Sequence, residues 1–454
     1  MNIDVQIDET NRRDDGLAQV MVDFPVLELS RILDLPFGSI YSSCGIPDDT
    51  TLDLLLVASL CYVIDKNVSR SFATDFWTRD LYVEIPVSEL KKWQNVKTDL
   101  KQTLDFLTGD NWQISFRKRK EQIFQKPKPK IRRKPLPPVL KEIDAVCLFS
   151  GGVDSLIGAI NLLENSNFKG IRLIGHYDAP GAKKPQKDLF DKISLNYPQK
   201  AELLQIRVSH KPLKAMENTL RSRSFVFIAL GLYAARAVSS KTPLYMPENG
   251  FIAMNIPLTP SRAGSCSTRT MHPYYLKKVR IVLDKLGIEN SIINPLELKT
   301  KGECVSDCLN TKLLSSLIVN SVSCSHSSRK QLWIRRGREV KNCGYCIPCL
   351  IRRAAFHKVG FDKAATYGID VCSGEIKYDD KTNSANDFRA MIDALKSGKT
   401  TADFQRDILA VASVERLEER AQMIERGLNE VKSLIQDKAD KNVMWAINLP
   451  AEKK

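Results

Sequence analysis

One hexapeptide, Ser-Gly-Gly-Val-Asp-Ser at residues 150–155, constrains the fold of this chain more than any other feature of its sequence. It follows the apolar run of residues 145–149 directly and opens a helical pattern. Paired glycines let a backbone approach an anion closely, and a helix N-terminus presents free N–H groups to phosphate. Ser150 and Ser155 add hydroxyl donors, while Asp154 would orient a magnesium ion or cap the helix. The sequence therefore predicts a phosphate-binding loop, and a plain Gly-Gly turn is the simpler alternative.

The hexapeptide matches SGGxDS, the hallmark of the PP-loop ATP pyrophosphatases, and the chain resembles that superfamily here. No lysine follows the glycines, so this is not the nucleotide loop that ends in Gly-Lys-Ser/Thr. The resemblance implies that a substrate oxygen attacks the α-phosphate of ATP and gives an adenylate and pyrophosphate. By this resemblance the ATP-binding residues are Ser150, Gly151, Gly152, Val153, Asp154 and Ser155, with Ser150 and Asp154 in catalytic roles.

Short apolar runs alternate with helical stretches through the middle of the chain, at residues 145–149, 171–176, 203–208 and 243–246. Such alternation is typical of an α/β fold with a doubly wound, mostly parallel sheet covered on both faces. We expect an accessory N-terminal α/β domain over residues 1–116, with a helix at 50–64 and strands at 81–87 and 112–116. A basic, proline-rich linker (117–141), the catalytic domain (142–360) and a helical C-terminal extension (361–454) are expected to follow.

The net charge of +15 comes largely from this linker, because residues 117–134 hold ten Lys or Arg and one acid. A basic strip can attract nucleic acid, but aromatic residues are not interleaved here as a stacking platform requires. A solvated linker is the favoured interpretation, and a nucleic-acid partner is only weakly indicated. No run of 18 apolar residues exists, and the first residues lack a basic-then-apolar signal segment, so we expect a cytoplasmic protein without membrane contact.

Several of the eleven cysteines have the spacing of metal ligands. Cys343, Cys346 and Cys349 form C-x-x-C-x-x-C, and Cys324 lies upstream in a segment that could return as a loop. Four thiolates make a closed structural zinc site, although three at this spacing also suit an iron–sulfur cluster. We expect zinc, with His326 as an outside candidate for the fourth ligand and unligated buried cysteines as the plain alternative.

An SGGxDS loop followed late in the chain by CGxCxxCxxR resembles the 7-cyano-7-deazaguanine synthases of the QueC family. The resemblance implies an ATP-dependent ligase that converts 7-carboxy-7-deazaguanine with ammonia to an amide and then a nitrile. Its implied cofactors are ATP with Mg²⁺ and a structural Zn²⁺. The segment Asn-Pro-Leu at 294–296, with Lys301 and Glu303, resembles that family's "PL…K-E" element. By this resemblance Lys301 is a catalytic residue near the phosphates.

The resemblance covers only the middle of the chain, because the regions before residue 142 and after residue 360 have no counterpart in the housekeeping synthases. With these additions the chain is similar to the QueC-like proteins of the Qat anti-phage defence system. That similarity implies a complex with other proteins of the same operon. The amine that accepts the adenylated deazapurine is then either ammonia or the N-terminal amine of a partner protein.

Further polar residues are candidates for lining the substrate site. Three could bond a guanine-like edge: Glu248, Asn249 and Asn255. Three could neutralise a carboxylate or phosphate: Arg223, Arg262 and Arg269. Turn-forming or surface roles explain each of these six residues equally well. His176 ends a predicted strand at the edge of the sheet where ligands bind, so it is expected to line the ATP site.

Two other functions stay open at the level of sequence. A tRNA-modifying PP-loop enzyme would also be basic and rich in cysteine, but it needs a reactive cysteine or cluster beside the ATP site. A non-catalytic scaffold of a defence complex would keep the fold without turnover, although such a protein is free to lose the glycines of its loop.

Overall fold

The chain forms two β-sheets surrounded by helices. The computed structural model describes residues 1–126, 140, 142–177, 180–259, 269–326, 333, 334, 337, 339–376, 378, 382 and 385–448. Most of the predicted linker at 117–141 lies outside the described residues, as does Arg262. The described strands are β1 (Asn2–Arg12), β2 (Ala18–Phe24), β3 (Leu29–Asp34), β4 (Asp80–Val87), β5 (Asn111–Lys118), β6 (Ala145–Leu148), β7 (Ile171–His176), β8 (Ala201–Ile206), β9 (Ser209–Lys211), β10 (Leu244–Tyr245) and β11 (Ile292–Ile293).

Helices make up about half of the described residues outside the strands. The described α-helices are α1 (Phe37–Cys44), α2 (Asp49–Asn67), α3 (Leu90–Thr108), α4 (Val153–Glu164), α5 (Pro180–Asn196), α6 (Arg223–Arg236), α7 (Gly250–Met254), α8 (Pro273–Leu286), α9 (Lys301–Ser306), α10 (Thr311–Leu317), α11 (Ile347–Lys358), α12 (Asn386–Lys396), α13 (Thr401–Val411), α14 (Leu417–Lys438) and α15 (Lys441–Ile447). None of the described helices is both long enough and apolar enough to cross a membrane.

The central sheet has the strand order β11-β10-β6-β7-β8, and every pair in it is parallel. Alternate side chains of β6 enter different cores. Val146 and Leu148 pack with α6, while Ala145 and Cys147 pack with α4. Because helices cover both faces, nearly all residues of β6 and β7 are buried, as expected for parallel strands. The predicted α/β class with a mostly parallel sheet is confirmed, and the architecture is compatible with a doubly wound fold.

The N-terminal sheet is mixed, with the order β5-β4-β1-β2-β3-β9. Its sixth strand, β9, comes from the chain segment that follows β8 of the central sheet and pairs antiparallel with β3. Helix α2 packs on α6, helix α3 packs on α8, and one hydrophobic core runs through both sheets. The predicted helix at 50–64 is observed as α2, and the carboxylate of Asp48 accepts the Thr51 N–H at its start. The short β9 strand has no periodicity that a sequence pattern could detect.

A buried ionic network joins the N-terminal region to the central sheet. The Arg79 guanidinium pairs with Asp65 at 2.6 Å and with Asp110 at 2.5 Å, and all three side chains are almost fully buried. The other oxygen of Asp65 accepts the N–H and the hydroxyl of Ser222, the residue before α6. Burial raises the pKa of Asp65, but the Arg79 charge and the Ser222 hydrogen bonds outweigh it and lower the pKa overall. The network therefore ties the end of α2 to the start of α6.

The C-terminal region is helical, as the sequence predicts. Helices α12 to α15 share a core with α7 and with the buried cysteines of residues 343–349. Residues 411–435 are rich in Glu, Arg and Leu, but they do not form one continuous helix. Helix α13 ends at Val411, and α14 begins at Leu417. Arg416, in the left-handed conformation at φ 55°, marks that break.

Replacing Arg79 with alanine should destabilise the whole chain by about 3–5 kcal/mol, because the buried Asp65 carboxylate loses the cation that pairs with it and Asp110 keeps only Arg70. Urea unfolding followed by circular dichroism measures the change, and one cooperative transition is expected since the core is shared. Arg406→Ala, which removes an exposed pair with Asp403, is the control and should change little. Separate unfolding of an N-terminal unit with the rest intact would contradict this view.

Candidate active site and metal centre

The candidate site lies at the carboxyl edge of the central sheet, where the strand order reverses. After β6 the chain continues to β7 on one side, whereas β10 pairs with the other side of β6. Open parallel sheets bind ligands in the crevice at such a point, because the loops that leave the two strands diverge there. The loops that follow β6 and β10 carry the hexapeptide and the segment Pro-Glu-Asn at 247–249. The fold therefore brings together residues that are far apart in sequence.

The hexapeptide forms a tight turn between β6 and α4, with Gly152 as the N-cap residue of the helix. Gly151 has φ +83°, a backbone conformation that residues other than glycine rarely adopt. A Cβ added at this position would lie 3.2 Å from Gln186 Cγ. A Cβ on Gly152 would lie 3.3 Å from Ser150 Oγ and 3.5 Å from Ser323 Oγ. The Ser150 and Ser155 hydroxyls are 3.2 Å apart. Hydroxyls and backbone amides thus surround the start of α4.

Asp154, in the first turn of α4, is buried beside a lysine. Its Oδ2 accepts Lys301 Nζ at 2.7 Å and Asn249 Nδ2 at 2.9 Å. Lys301 is 1% exposed and Asn249 is fully buried. Burial raises the pKa of Asp154, but the Lys301 charge and its hydrogen bonds outweigh burial, so the pKa is lowered and the group is a carboxylate. The second oxygen, Oδ1, is buried and receives no N–H or hydroxyl donor among the described residues.

Glu248 adds a second carboxyl group to this cluster. Burial of its side chain, and then the negative charge of Asp154, raise the pKa of Glu248 well above its ordinary value. A proton held between the two carboxyl groups accounts for this direction, because two neighbouring carboxylates repel each other. The Glu248 backbone is fixed by Asn294, whose side chain accepts the Glu248 N–H at 3.2 Å and donates to its carbonyl at 2.8 Å. The loops after β10 and β11 are thereby joined.

Capping interactions fix the lysine and the asparagine. Thr300 caps α9 in a capping box with Glu303, so Lys301 is the first residue of that helix. Asn249 caps α7 by accepting the Ile252 N–H at 3.1 Å, which leaves its amide N–H group for Asp154. Glu248 and Asn249 are predicted from the sequence to bond a guanine-like edge, and in the structure both contact Asp154 of the hexapeptide.

His176 ends β7 and is fully buried. Its Nδ1 accepts Arg223 Nε at 3.2 Å, and its carbonyl accepts Arg223 Nη2 at 2.9 Å and Gln186 Nε2 at 3.2 Å. Gln186 also donates to the Ser150 carbonyl at 3.3 Å. His176 and Arg223 therefore reach the hexapeptide through Gln186, which the sequence analysis missed because glutamine carries no motif.

Two other predicted substrate residues have local structural contacts. Asn255 ends α7 in the left-handed conformation at φ 41°, a role that suits asparagine. Arg269 lies over the Phe106 ring at 4.5 Å and donates to the Phe106 carbonyl at 3.1 Å. These contacts dock the segment before α8 onto α3. Arg262 lies outside the described residues.

Four cysteines converge as the spacing predicts. The sulfur atoms of Cys324, Cys343, Cys346 and Cys349 all lie within 4.8 Å of one another. Two of their separations are 3.8 and 3.9 Å. Zn–S bonds of about 2.3 Å in a tetrahedron place the sulfurs about 3.8 Å apart, so the cluster fits a metal such as zinc. The Nδ1 atom of His326, the outside candidate, is 3.8 Å from Cys343 Sγ.

The cysteine cluster is directly connected to the hexapeptide. Val322 N donates to the Gly151 carbonyl at 3.0 Å, and Ser323 Oγ accepts the Val153 N–H at 3.2 Å. The next residue is Cys324 of the four-cysteine cluster. Arg352, in the helix that carries Cys349, donates to Ser321 Oγ at 2.8 Å. A metal ion that holds Cys324 therefore also fixes the segment that supports the loop, a connection that no sequence spacing reveals.

Cys346→Ser should abolish stoichiometric metal binding and lower the melting temperature, because the closed four-sulfur site would lose a ligand. Elemental analysis of the purified protein measures zinc and iron together. Cys44→Ser is the matched control, since Cys44 lies outside the cluster and serine retains a polar contact to Arg172. Iron with acid-labile sulfide, or a full complement of metal in the Cys346 variant, would contradict a zinc site.

The raised pKa of Glu248 predicts a pH effect on stability. A carboxyl group whose pKa is raised in the folded state stabilises the fold. This contribution is complete below the ordinary pKa of 4.5 and is lost as the pH rises through the pKa of the folded state. Glu248→Gln, which mimics the protonated form, should therefore gain stability relative to the unmodified chain as the pH increases from 5 to 9. Urea unfolding in magnesium-free buffer across this range measures the difference, and parallel pH profiles would contradict the prediction.

No family model, no curated protein and no solved structure matches the chain.

Proposed function

We propose that this protein is an ATP-dependent ligase that activates a substrate carboxylate as its adenylate. The observation that carries the proposal is the buried group at the start of α4. There the buried Asp154 carboxylate, a buried lysine and a glycine turn meet at the carboxyl edge of a parallel sheet. Buried charged groups are costly, so their concentration at this edge is a mark of a binding site.

The β- and γ-phosphates of ATP bind at the hexapeptide. Backbone N–H groups in the first turn of α4 and the hydroxyls of Ser150 and Ser155 are the donors, and Lys301 neutralises the leaving pyrophosphate. Asp154 Oδ1 and the Glu248 carboxyl group are hard oxygen ligands of the kind that Mg²⁺ takes. These two carboxyl groups would hold a magnesium ion as carboxylates, and the ion would supply charge neutralisation for the phosphates.

The reaction has two steps. A carboxylate oxygen of the substrate attacks the α-phosphorus, the bond from phosphorus to the bridging oxygen breaks, and pyrophosphate leaves. An amine nitrogen then attacks the acyl carbon, the bond from carbon to the AMP oxygen breaks, and the nitrogen loses its proton. We propose 7-carboxy-7-deazaguanine as the carboxylate on the resemblance to QueC-like enzymes, with ammonia or a partner protein's N-terminal amine as acceptor.

The four-cysteine cluster favours this function over tRNA modification. All four sulfur atoms lie close enough to ligate one ion, so none of them is left as a reactive thiol beside the ATP site. Its proposed role is structural, because it fixes residues 322–323 against the hexapeptide.

Asp154→Asn should lower adenylate formation by at least about a hundredfold, because it removes the charge that pairs with Lys301 and binds magnesium. Exchange of labelled pyrophosphate into ATP, with 7-carboxy-7-deazaguanine as the acid, measures this step. Asp144→Asn is the control. Asp144 lies just before the start of β6, at the end of the strand away from the hexapeptide, and it accepts the N–H groups of Lys169 and Gly170.

Absence of exchange with the unmodified protein and a panel of carboxylic acids, together with no measurable ATP binding, would overturn the proposed function. ATP binding with exchange only for another acid would keep the adenylation step and replace the proposed substrate.

A further inference from the structure

The C-terminal helix α14 lies across the two elements that supply Lys301 and Asn249. Along α14, Arg420 pairs with Glu297 at 3.0 Å and Arg426 pairs with Glu303 at 2.6 Å. Gly427 allows close contact with α7, since an added Cβ would lie 2.7 Å from the Phe251 ring. Both α7 and α9 thus rest on one helix of the C-terminal extension.

Glu430 makes the most direct of these connections. Its Oε1 accepts the Thr300 hydroxyl at 2.5 Å, and its Oε2 accepts the Gly302 N–H at 3.1 Å. These two residues flank Lys301 in the chain. Glu430 is 9% exposed, and Lys358 of α11 balances its charge at 3.0 Å. One carboxylate therefore joins the C-terminal helix, the helix of the candidate catalytic lysine and the helix of the cysteine cluster.

We infer that Glu430 is a positioning residue that holds Lys301 against the phosphates of ATP. The inference rests on the proposed function and extends it to a region that the resemblance to QueC-like enzymes does not cover. The physical reason is geometric. The residue before Lys301 and the residue after it are both hydrogen-bonded to the same carboxylate, so the Lys301 backbone cannot shift while those bonds persist. A hydrogen bond to a charged acceptor is roughly twice as strong as a neutral one.

Gly302 lets this carboxylate approach the backbone of α9 closely. A Cβ at residue 302 would lie 2.4 Å from Glu430 Oε1 and 2.7 Å from Oε2. The glycine therefore admits the side chain of Glu430 directly onto the α9 backbone. Such a close approach is a use of glycine that a sequence pattern does not disclose.

Calorimetric titration with ATP and with AMP tests the inference. Lys301 is proposed to meet the terminal phosphates, which AMP lacks, so Glu430→Ala should weaken ATP binding about tenfold and leave AMP affinity unchanged. Glu430→Gln should restore most of the ATP affinity, because its amide oxygen can accept the Gly302 N–H and its amide group can donate to the Thr300 hydroxyl. Asp437→Ala is the control on the same helix, since Asp437 pairs with His357 instead.

A double-mutant cycle with Lys301→Ala isolates the connection. In the Lys301→Ala background, the Glu430→Ala change should cost less than about twofold in ATP affinity, because the group it positions is gone. Hydrogen exchange of the peptide at 298–306 gives a readout that needs no nucleotide, and it should increase in Glu430→Ala. If the alanine variant does not fold, Glu430→Asp replaces it. The aspartate side chain is one methylene shorter, so its carboxylate lies farther from α9, and the same selective loss of ATP affinity is expected.

Three results would overturn the inference while leaving ATP binding by the unmodified protein intact. They are unchanged ATP affinity in Glu430→Ala, equal losses for ATP and AMP, and a full additional loss in the Lys301→Ala background. If the unmodified protein binds no ATP, the proposed function fails and this inference fails with it.

Discussion

The buried pair between Asp154 and Lys301 is the interaction on which the candidate site depends. An ion pair removed from water recovers little net stability, because desolvation offsets the attraction between the charges. Here Asn249 supplies a third polar partner, and Glu248 brings a second carboxyl group. These buried charged groups stabilise the fold less than apolar side chains would in the same place. We therefore attribute their presence to the binding of a charged ligand. ATP with magnesium is the ligand that we propose for these groups.

Three separate regions hold that pair in place. Helix α2 of the N-terminal region packs on α6, which carries Arg223, the cysteine cluster supports the hexapeptide through residues 322–323, and helix α14 carries Glu430. Each region reaches the site through hydrogen bonds with backbone groups. Such bonds transmit position well, because a backbone carbonyl or N–H group has no rotamers to absorb a displacement. The additions on both sides of the central domain are thus structural parts of the site.

Local patterns predicted individual elements well where the chain has strong periodicity or capping residues. The buried helix α2 and the strands β4 to β7 were found within a few residues of their observed bounds. The four-cysteine cluster is predictable because three of its members have C-x-x-C-x-x-C spacing, which is typical of metal ligands. The joining of β9 to the N-terminal sheet was missed, since three residues carry no measurable pattern.

The sequence by itself determined the α/β class, the turn at residues 150–155 and the four cysteines, because each depends on residue type and short spacing. Only the tertiary structure decided that Glu248 and Asn249 contact Asp154, that Gln186 and Ser323 support the hexapeptide, and that Glu430 flanks Lys301. These contacts join positions up to 170 residues apart. Their partners are common polar residues, whose pairing is set by the order of strands and the packing of helices.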